Sequence, residues 1–215
     1  MTSVAETLCR CSSSSIFDAL DELGIDDGGA LDGFRICGRR RRAAGPVETI
    51  VAEVTLDRSY PVEAFSIGEQ IRLSPPGTVL VIDVLGEPIS SWGALATRAA
   101  ILRGIPACVI RGGARDVDEI GAMDFLLAAT HITPRTGKGR IRFVTRGAPL
   151  HWDRAWIRPG DWLAMDQTGA VAIPARRVDD VARRALEVEA ADARFTQLLE
   201  QGVDFDTAAR RVRHF

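Results

Sequence analysis

Lysine is almost missing from this chain: of 27 basic residues among 215, only Lys138 is a lysine. A Schiff-base lyase needs a lysine held in a desolvated pocket, and Lys138 stands in Thr136-Gly137-Lys138-Gly139-Arg140, which reads as a mobile loop. The same segment has no glycine at the spacing of a phosphate-binding P-loop and no Ser or Thr after its lysine, so nucleotide hydrolysis of that type is not expected. Nor is there a glycine-rich strand-to-helix loop followed by a ribose-binding acid, which argues against S-adenosylmethionine or a dinucleotide. No apolar run approaches the roughly 18–20 residues needed to cross a bilayer, and no basic-then-apolar leader opens the chain, so a soluble cytoplasmic protein is expected.

Other scarce residues narrow the field further. Cys9, Cys11, Cys37 and Cys108 form neither a zinc spacing nor a disulfide framework, and are expected to be reduced thiols, with Cys108 in a core strand. His131, His151 and His214 are too scattered to suggest a ligand set. The formal net charge of −2 gives no general attraction for nucleic acid or an anionic membrane. The one dense basic run, Arg39 to Arg42, lacks interleaved aromatics and reads as a solvated turn.

What is present centres on Thr78 to Ile120. Thr78–Val84 and Ala107–Ile110 are short Val/Ile-rich runs, and between them Gly93–Arg103 carries alanines and leucines at helical spacing, stopped by Gly104. A Gly/Pro loop joins the first run to the helix, completing a β-α-β unit. Sites in such units lie at the carboxyl ends of the strands. Two features fall there: the helix start Trp92-Gly93-Ala94-Leu95-Ala96, whose free N–H groups suit a carboxylate or phosphate, and Arg115-Asp116, a forked cation beside a hard oxygen ligand. Together they suggest a site for a small acidic keto compound.

The flanks read consistently with one domain. Ser12–Ser15 offer amino-cap oxygens for a helix through Ile16, Leu20 and Leu23 that Gly24 ends. Asp26-Asp27-Gly28-Gly29 is a turn, since no distal Glu stands at calcium-loop spacing. Val47 to Thr55 alternates as a half-buried strand. Pro61–Ile71 is expected to be a helix, Val117–Ala129 a helix or a helix plus a strand, and Arg140–Val144, Trp156–Ile157 and Trp162–Met165 strands, with Gly160-Asp161 a tight turn. Gly160, Asp161 and Asp166 are expected to fix turns rather than to do chemistry. From Val178 onward the pattern is that of amphipathic helices, which sets the expected division at 1–175 for an α/β domain and 176–215 for a helical extension packed on it or on a neighbouring subunit.

In this order and spacing, Val81-Ile82-Asp83, Trp92-Gly93-Ala94-Leu95-Ala96 and Val109 to Asp116 resemble the RraA-like family, which includes the class II 4-hydroxy-4-methyl-2-oxoglutarate aldolases and a regulator of ribonuclease activity. Asp18-Ala19-Leu20 to Gly24, Ala44-Gly45-Pro46-Val47 and Pro159-Gly160-Asp161 to Pro174 extend the resemblance over most of the chain. It implies an α/β sandwich resembling a swivelling phosphohistidine domain, assembled as a homotrimer or hexamer with the active site at the subunit interface. It also implies Mg²⁺ or Mn²⁺ held by Asp116, Arg115 on the keto or carboxylate oxygen, and the N–H groups of Leu95 and Ala96 on the substrate carboxylate.

Two departures from that pattern bear on function. The aldolases carry an acid 21 positions before the arginine, where this chain has Ala94, and many relatives carry an aspartate where it has Arg111. Losing an acid and gaining a base favours a more anionic ligand, so Arg111 joins Gly93, Ala94, Leu95, Ala96 and Arg115 as a substrate-binding candidate. Asp83 or Glu87, or Glu187 or Glu189 of a neighbouring tail, are candidates for the missing acid. The leading expectation is a metal-dependent lyase on a 2-keto acid, by retro-aldol cleavage or decarboxylation through a pyruvate-type enolate. The alternatives are a non-catalytic binding or regulatory protein and a repurposed enzyme of a specialised pathway.

Overall fold

A computed structural model describes residues 3–152 and 154–212, so His214 lies outside the described residues. In chain order the elements are helices α1 (Val4–Leu8) and α2 (Ser13–Glu22), then strands β1 (Gly29–Leu31), β2 (Arg35–Cys37) and β3 (Ala43–Val54). Next come α3 (Ile67–Leu73), β4 (Val79–Asp83), β5 (Ser90–Trp92), α4 (Ala94–Arg103), β6 (Ala107–Ala114), α5 (Val117–Gly121), β7 (Leu126–Ile132) and β8 (Ile141–Arg146). The hairpin β9 (Leu150–Trp152) and β10 (Ala155–Ile157), then β11 (Trp162–Met165), β12 (Ala170–Ile173), α6 (Val178–Glu200) and α7 (Phe205–Val212) complete it.

The large sheet runs β1-β12-β11-β3-β4-β6-β7-β2, with β5 added on β6 and β8 on β3. Its centre is parallel, β3-β4-β6-β7, and its flanks are antiparallel. Parallel strands are covered on both faces, which is why β4 is buried at all five positions; each aliphatic side chain contributes roughly 1.5–3 kcal/mol to folding. Leu80, Ile82, Cys108, Ile110 and Leu127 face one side with Trp92, Ala100 and Phe125 under the helices. Val79, Val81, Val109 and Ala128 face the other, where the curled sheet brings Leu31, Leu163 and Ala172 opposite them and the β9–β10 hairpin inserts Trp152 and Ile157. On the outer side of β11–β12, α1, α2 and α6 form a third cluster through Leu8, Ile16, Leu20, Val181 and Ala185. This mixed α/β architecture with carboxyl-terminal helices is the one the resemblance implied.

Local chemistry accounts for most element boundaries. Ser12 caps α2 by accepting from the N–H of Ser15, and α4 ends in a left-handed Gly104. Asp161 and Asp166 fix turns: Asp161 accepts from the N–H groups of Arg158 and Ala175, and Asp166 from those of Ser13 and Thr168. All four cysteines are free, and Cys108 is fully buried in β6; burial pushes the thiols of Cys11 and Cys37 up to about 11.

Three expectations are corrected. The helix over Pro61–Ile71 is instead a single 3₁₀ turn at Val62–Ala64 followed by α3, because Phe65 leaves helical geometry (φ −81°, ψ 67°) and packs its ring on Phe143. The loop before α4 contains a short strand, β5. Finally, β6 continues past Ile110 to Ala114, so Arg111 is a strand residue with a defined face.

Candidate functional site

The cleft lies at the carboxyl end of β5 and β6, where a cavity of about 180 Å³ is bounded by Ser90 to Gly93, Leu95 and Ala96, by Arg115 and Asp116, and by Phe65, Ile67, Thr136 and Lys138. Trp92 anchors its floor. The indole is buried against Phe125 and donates to Thr97 Oγ1 at 2.8 Å, while the Thr97 hydroxyl donates to the Gly93 carbonyl. This relay sets the first turn of α4, whose N–H groups at Leu95 and Ala96 are among those a helix leaves without intrahelical partners.

Arg115 and Asp116 reach the same turn from the end of β6. The Arg115 N–H donates to the Trp92 carbonyl at 3.0 Å, tying the two loops together. Asp116 takes a left-handed conformation (φ 60°, ψ 35°), unusual outside glycine but tolerated by aspartate, and that twist aims its carboxylate back at α4. Its Oδ2 accepts from the Ala94 N–H at 3.1 Å and lies 3.5 Å from Arg115 Nε. A methyl group at Gly93 would meet that oxygen at 2.5 Å, so glycine is what lets the pair sit over the helix start.

The site candidates read from sequence divide into two groups. Gly93, Leu95, Ala96, Arg115 and Asp116 line the cleft; Ala94 contributes its N–H to Asp116 while its methyl is buried in the core. Arg111 does not line the cleft. In the β4–β6 register it pairs with Asp83, on the hairpin face with Val81 and Val109, whereas the cleft is built around Trp92 on the helix face. There Arg111 Nε donates to Asp83 Oδ1 at 2.8 Å, its NH2 group also bonds Asp83, and the guanidinium lies 5.8 Å from the Trp152 ring centroid.

That pairing also occupies Asp83 as a replacement acid, and Glu87 is not among the lining residues. Glu187 pairs with Arg184, and Glu189 accepts from the Ser12 N–H and the Ser15 hydroxyl of its own chain. Among the described residues, Asp116 is the sole acid on the cleft.

Lys138 is a lining residue that local pattern does not reveal. The loop expected to be mobile is stitched to β5: the Ser90 N–H donates to the Arg135 carbonyl at 2.8 Å, and Ser90 and Thr136 form a parallel bridge. The only signal that could have found it is the solitary lysine itself.

The donor set decides what the cleft can hold. No group of three or more His, Cys, Asp or Glu comes together among the described residues, so a metal cage of protein ligands is not built. One carboxylate does suit Mg²⁺ or Mn²⁺, which keep several waters and take the remaining oxygens from a bound substrate. The protein contacts of Asp116 run through Oδ2, leaving Oδ1 for such an ion.

The fold has counterparts among known proteins. The family model described as RraA-like, Aldolase/RraA, matches residues 13–172. Protein DlpA of Legionella pneumophila is 29% identical over 97% of this chain, which spans only 33% of that protein's length. A protein of Albidiferax ferrireducens named "Putative 4-hydroxy-4-methyl-2-oxoglutarate aldolase" is 30% identical over 67% of this chain and 84% of its own. Among solved structures, an uncharacterized protein from Pseudomonas syringae pv. tomato matches at a TM-score of 0.86 and 27% identity, covering 97% of this chain and 93% of that one. Streptomyces coelicolor RraAS2, described as an unusual member of the RNase ES inhibitor RraA protein family, matches at 0.76 and 22% identity over 91% and 96%, and shows the fold. With the family model covering most of the chain and the β-α-β cleft in place, this chain belongs to the RraA-like family.

Proposed function

We propose that this chain is a divalent-metal-dependent lyase acting on a small 2-keto acid in the cleft between the first turn of α4 and Arg115-Asp116. The observation that carries the reading is the convergence of a guanidinium, a carboxylate and helix N–H groups without intrahelical partners on one cavity of about 180 Å³. Cleaving the C–C bond beside a 2-keto group leaves negative charge on the keto oxygen, and both retro-aldol cleavage and decarboxylation pass through that enolate. Arg115 stands where its N–H groups can hold the keto or carboxylate oxygen, and the N–H groups of Leu95 and Ala96 receive the carboxylate. Asp116 would hold Mg²⁺ or Mn²⁺, which when bound supplies Lewis-acid polarisation of the keto group.

The site is proposed to work in a homotrimer or hexamer, with the cleft at the boundary between subunits. Leu95 at its rim is 81% exposed, and Leu102 further along the same helix is 90% exposed, apolar surface that a second copy would cover. A cytoplasmic location is part of the same proposal; no described helix is long and apolar enough to cross a membrane.

A second reading, a non-catalytic binding protein, is favoured by Ala94: where the aldolases place an acid there is a buried methyl group, and the adjoining N–H is taken by Asp116. Pyruvate release from oxaloacetate and from 4-hydroxy-4-methyl-2-oxoglutarate, with and without Mg²⁺ or Mn²⁺, separates the two. The lyase reading expects metal-dependent turnover that Asp116→Ala abolishes. Turnover indifferent to that substitution removes Asp116 from the catalytic assignment, and no turnover with either acid removes the lyase assignment for these substrates and leaves the binding role or another substrate.

A further inference from the structure

We infer that Arg10 and the run Arg39–Arg42 form a docking surface for the phosphate backbone of a nucleic-acid duplex, bound without regard to base sequence. The surface is separate from the cleft and does not rest on the lyase reading. The run leads into the amino end of β3 and lies beside the loop before the amino end of β7, whereas the cleft opens at the carboxyl end of β6, which runs parallel to both through the sheet.

What reads in the sequence as a solvated turn is tied down on both sides. Gly38 enters it at φ +118°, so close to β7 that a methyl group there would meet the Phe125 carbonyl oxygen at 1.9 Å. The Arg39 N–H donates to the Met123 carbonyl at 2.9 Å, and the Arg40 guanidinium donates to Asp124 Oδ2 at 2.8 Å. Arg42 donates from its guanidinium to the Arg10 carbonyl at 2.6 Å, which brings the end of the first helical segment alongside. Exposure alternates along the run, with Arg39 and Arg41 exposed and Arg40 and Arg42 half-buried, the period of an extended chain. Two arginines therefore anchor the segment, and two face solvent beside an exposed Arg10.

The charge gathered there is left uncompensated. Arg10, Arg39 and Arg41 make no ion pair among the described residues, in a chain whose exposed arginines elsewhere, such as Arg142, Arg176 and Arg184, find Glu53, Asp27 and Glu22. Two carboxylates act on the cluster: Asp124 is taken by Arg40, and Glu189, which feels Arg42, accepts from Ser12 and Ser15. Neighbouring like charges repel, and Arg40 Nε is buried without an acceptor, the one side-chain atom in that state among the described residues. Both features disfavour the fold, so a segment that only joined β2 to β3 would gain nothing from four arginines, whereas a bound polyanion removes the repulsion.

The surroundings select the polyanion. No large apolar side chain is exposed in the run, so a lipid surface would have nothing to receive. The run also holds no aromatic ring, and proteins that hold single strands stack unpaired bases on such rings. A duplex keeps its bases inside and presents regularly spaced phosphates outside, which need only cations, and a guanidinium fork can bond two phosphate oxygens at once.

The test is fluorescence anisotropy of a labelled mixed-sequence DNA duplex of about 20 base pairs, titrated with the full chain from about 25 to 200 mM salt. Four phosphate contacts, from Arg10, Arg39, Arg41 and Arg42, predict a slope of log K against log salt of roughly −3 to −4, unchanged when the duplex sequence is shuffled. Arg39→Gln with Arg41→Gln should weaken binding by about tenfold or more at low salt and make the slope shallower by about 2. Arg194→Gln with Arg211→Gln removes the same charge from the carboxyl-terminal helices and should leave both values as in wild type. Because Arg39 and Arg41 are exposed, the unfolding midpoint of their double variant should not move, and keto-acid turnover in the cleft should be that of wild type. Absence of binding by wild type at low salt overturns the proposal, as does equal weakening by the two double variants. Displacement of the duplex by polyglutamate at equal charge concentration would assign the surface to an acidic protein instead, and comparable binding to phosphatidylserine vesicles would assign it to a membrane; either result also overturns it.

Discussion

The carboxylate of Asp116 accepts a hydrogen bond from the backbone N–H of Ala94 at 3.1 Å, so one acid both satisfies the start of α4 and faces the cleft. The two duties are separable, because the first needs only an oxygen and the second needs a charge. Asp116→Asn keeps an acceptor at a left-handed position that asparagine tolerates. It is expected to denature within about 1 kcal/mol of wild type while losing metal-dependent turnover by about a hundredfold or more. An asparagine variant that retains turnover would show that the carboxylate charge is not used.

Gly93→Ala tests how tightly the pair is seated. The backbone at Gly93 is extended (φ −158°, ψ −171°), so an alanine suffers no conformational strain there. Its methyl group would instead press on Asp116 Oδ2 and on Arg115 Cγ, at 2.5 and 3.2 Å. Turnover should fall by about tenfold to a hundredfold, the usual consequence of misplacing catalytic groups by an ångström, with little change in unfolding midpoint. Wild-type rates in this variant would mean that the pair moves aside without cost.

Arg111 is assigned to stability by its pairing with the buried Asp83. Arg111→Met leaves that carboxylate with the Leu85 N–H but without its cation, a change that costs about 3–5 kcal/mol for fully buried pairs and less here, because the arginine side chain is 33% exposed. Urea unfolding should show a loss of roughly 2–3 kcal/mol, and KM for keto acids should be unchanged at temperatures where the variant is folded. A raised KM with unaltered stability would return Arg111 to the substrate.

Acid should loosen the seat of α2. Burial pushes the carboxyls of Asp166 and Glu189 up, but hydrogen bonds outweigh it and hold both below the usual range: from the Ser13 N–H and hydroxyl, Thr168 and Gly169 for Asp166, and from Ser12 and Ser15 for Glu189. A carboxyl whose folded value is depressed stabilises the protein above its unfolded value and loses that contribution as pH falls through the folded one. Stability is therefore expected to be flat from neutrality to about pH 5 and to fall below it. Asp166→Asn should be less stable at neutral pH and show a shallower acid slope; an unchanged slope would place the acid sensitivity elsewhere.

Much of the fold was legible because its information is local. The Val/Ile runs of β4 and β6, the helical spacing of α4 and the stop at Gly104 are properties of a few consecutive residues, and each element formed close to where periodicity puts it. So were Arg115 and Asp116, whose place at a strand end follows from the β-α-β order. The boundaries that moved did so for tertiary reasons: Phe65 broke the helix after Pro61 to reach Phe143, and β5 emerged from a loop by pairing with β6.

The chain by itself determined the elements, the order that makes them a β-α-β unit and the paired Arg115-Asp116 at its end, since these depend on spacing and on which residue types lie next to one another. Only the tertiary structure decided which side chains share a space. Strand register sent Arg111 to the hairpin face and to Asp83, folding back of α6 turned Glu189 onto Ser12 and Ser15, and the bridge from Ser90 to Thr136 carried Lys138 into a cleft more than twenty residues away along the chain. Alternation and pairing across distant segments choose a face and a neighbour for each side chain, and no local pattern contains that choice.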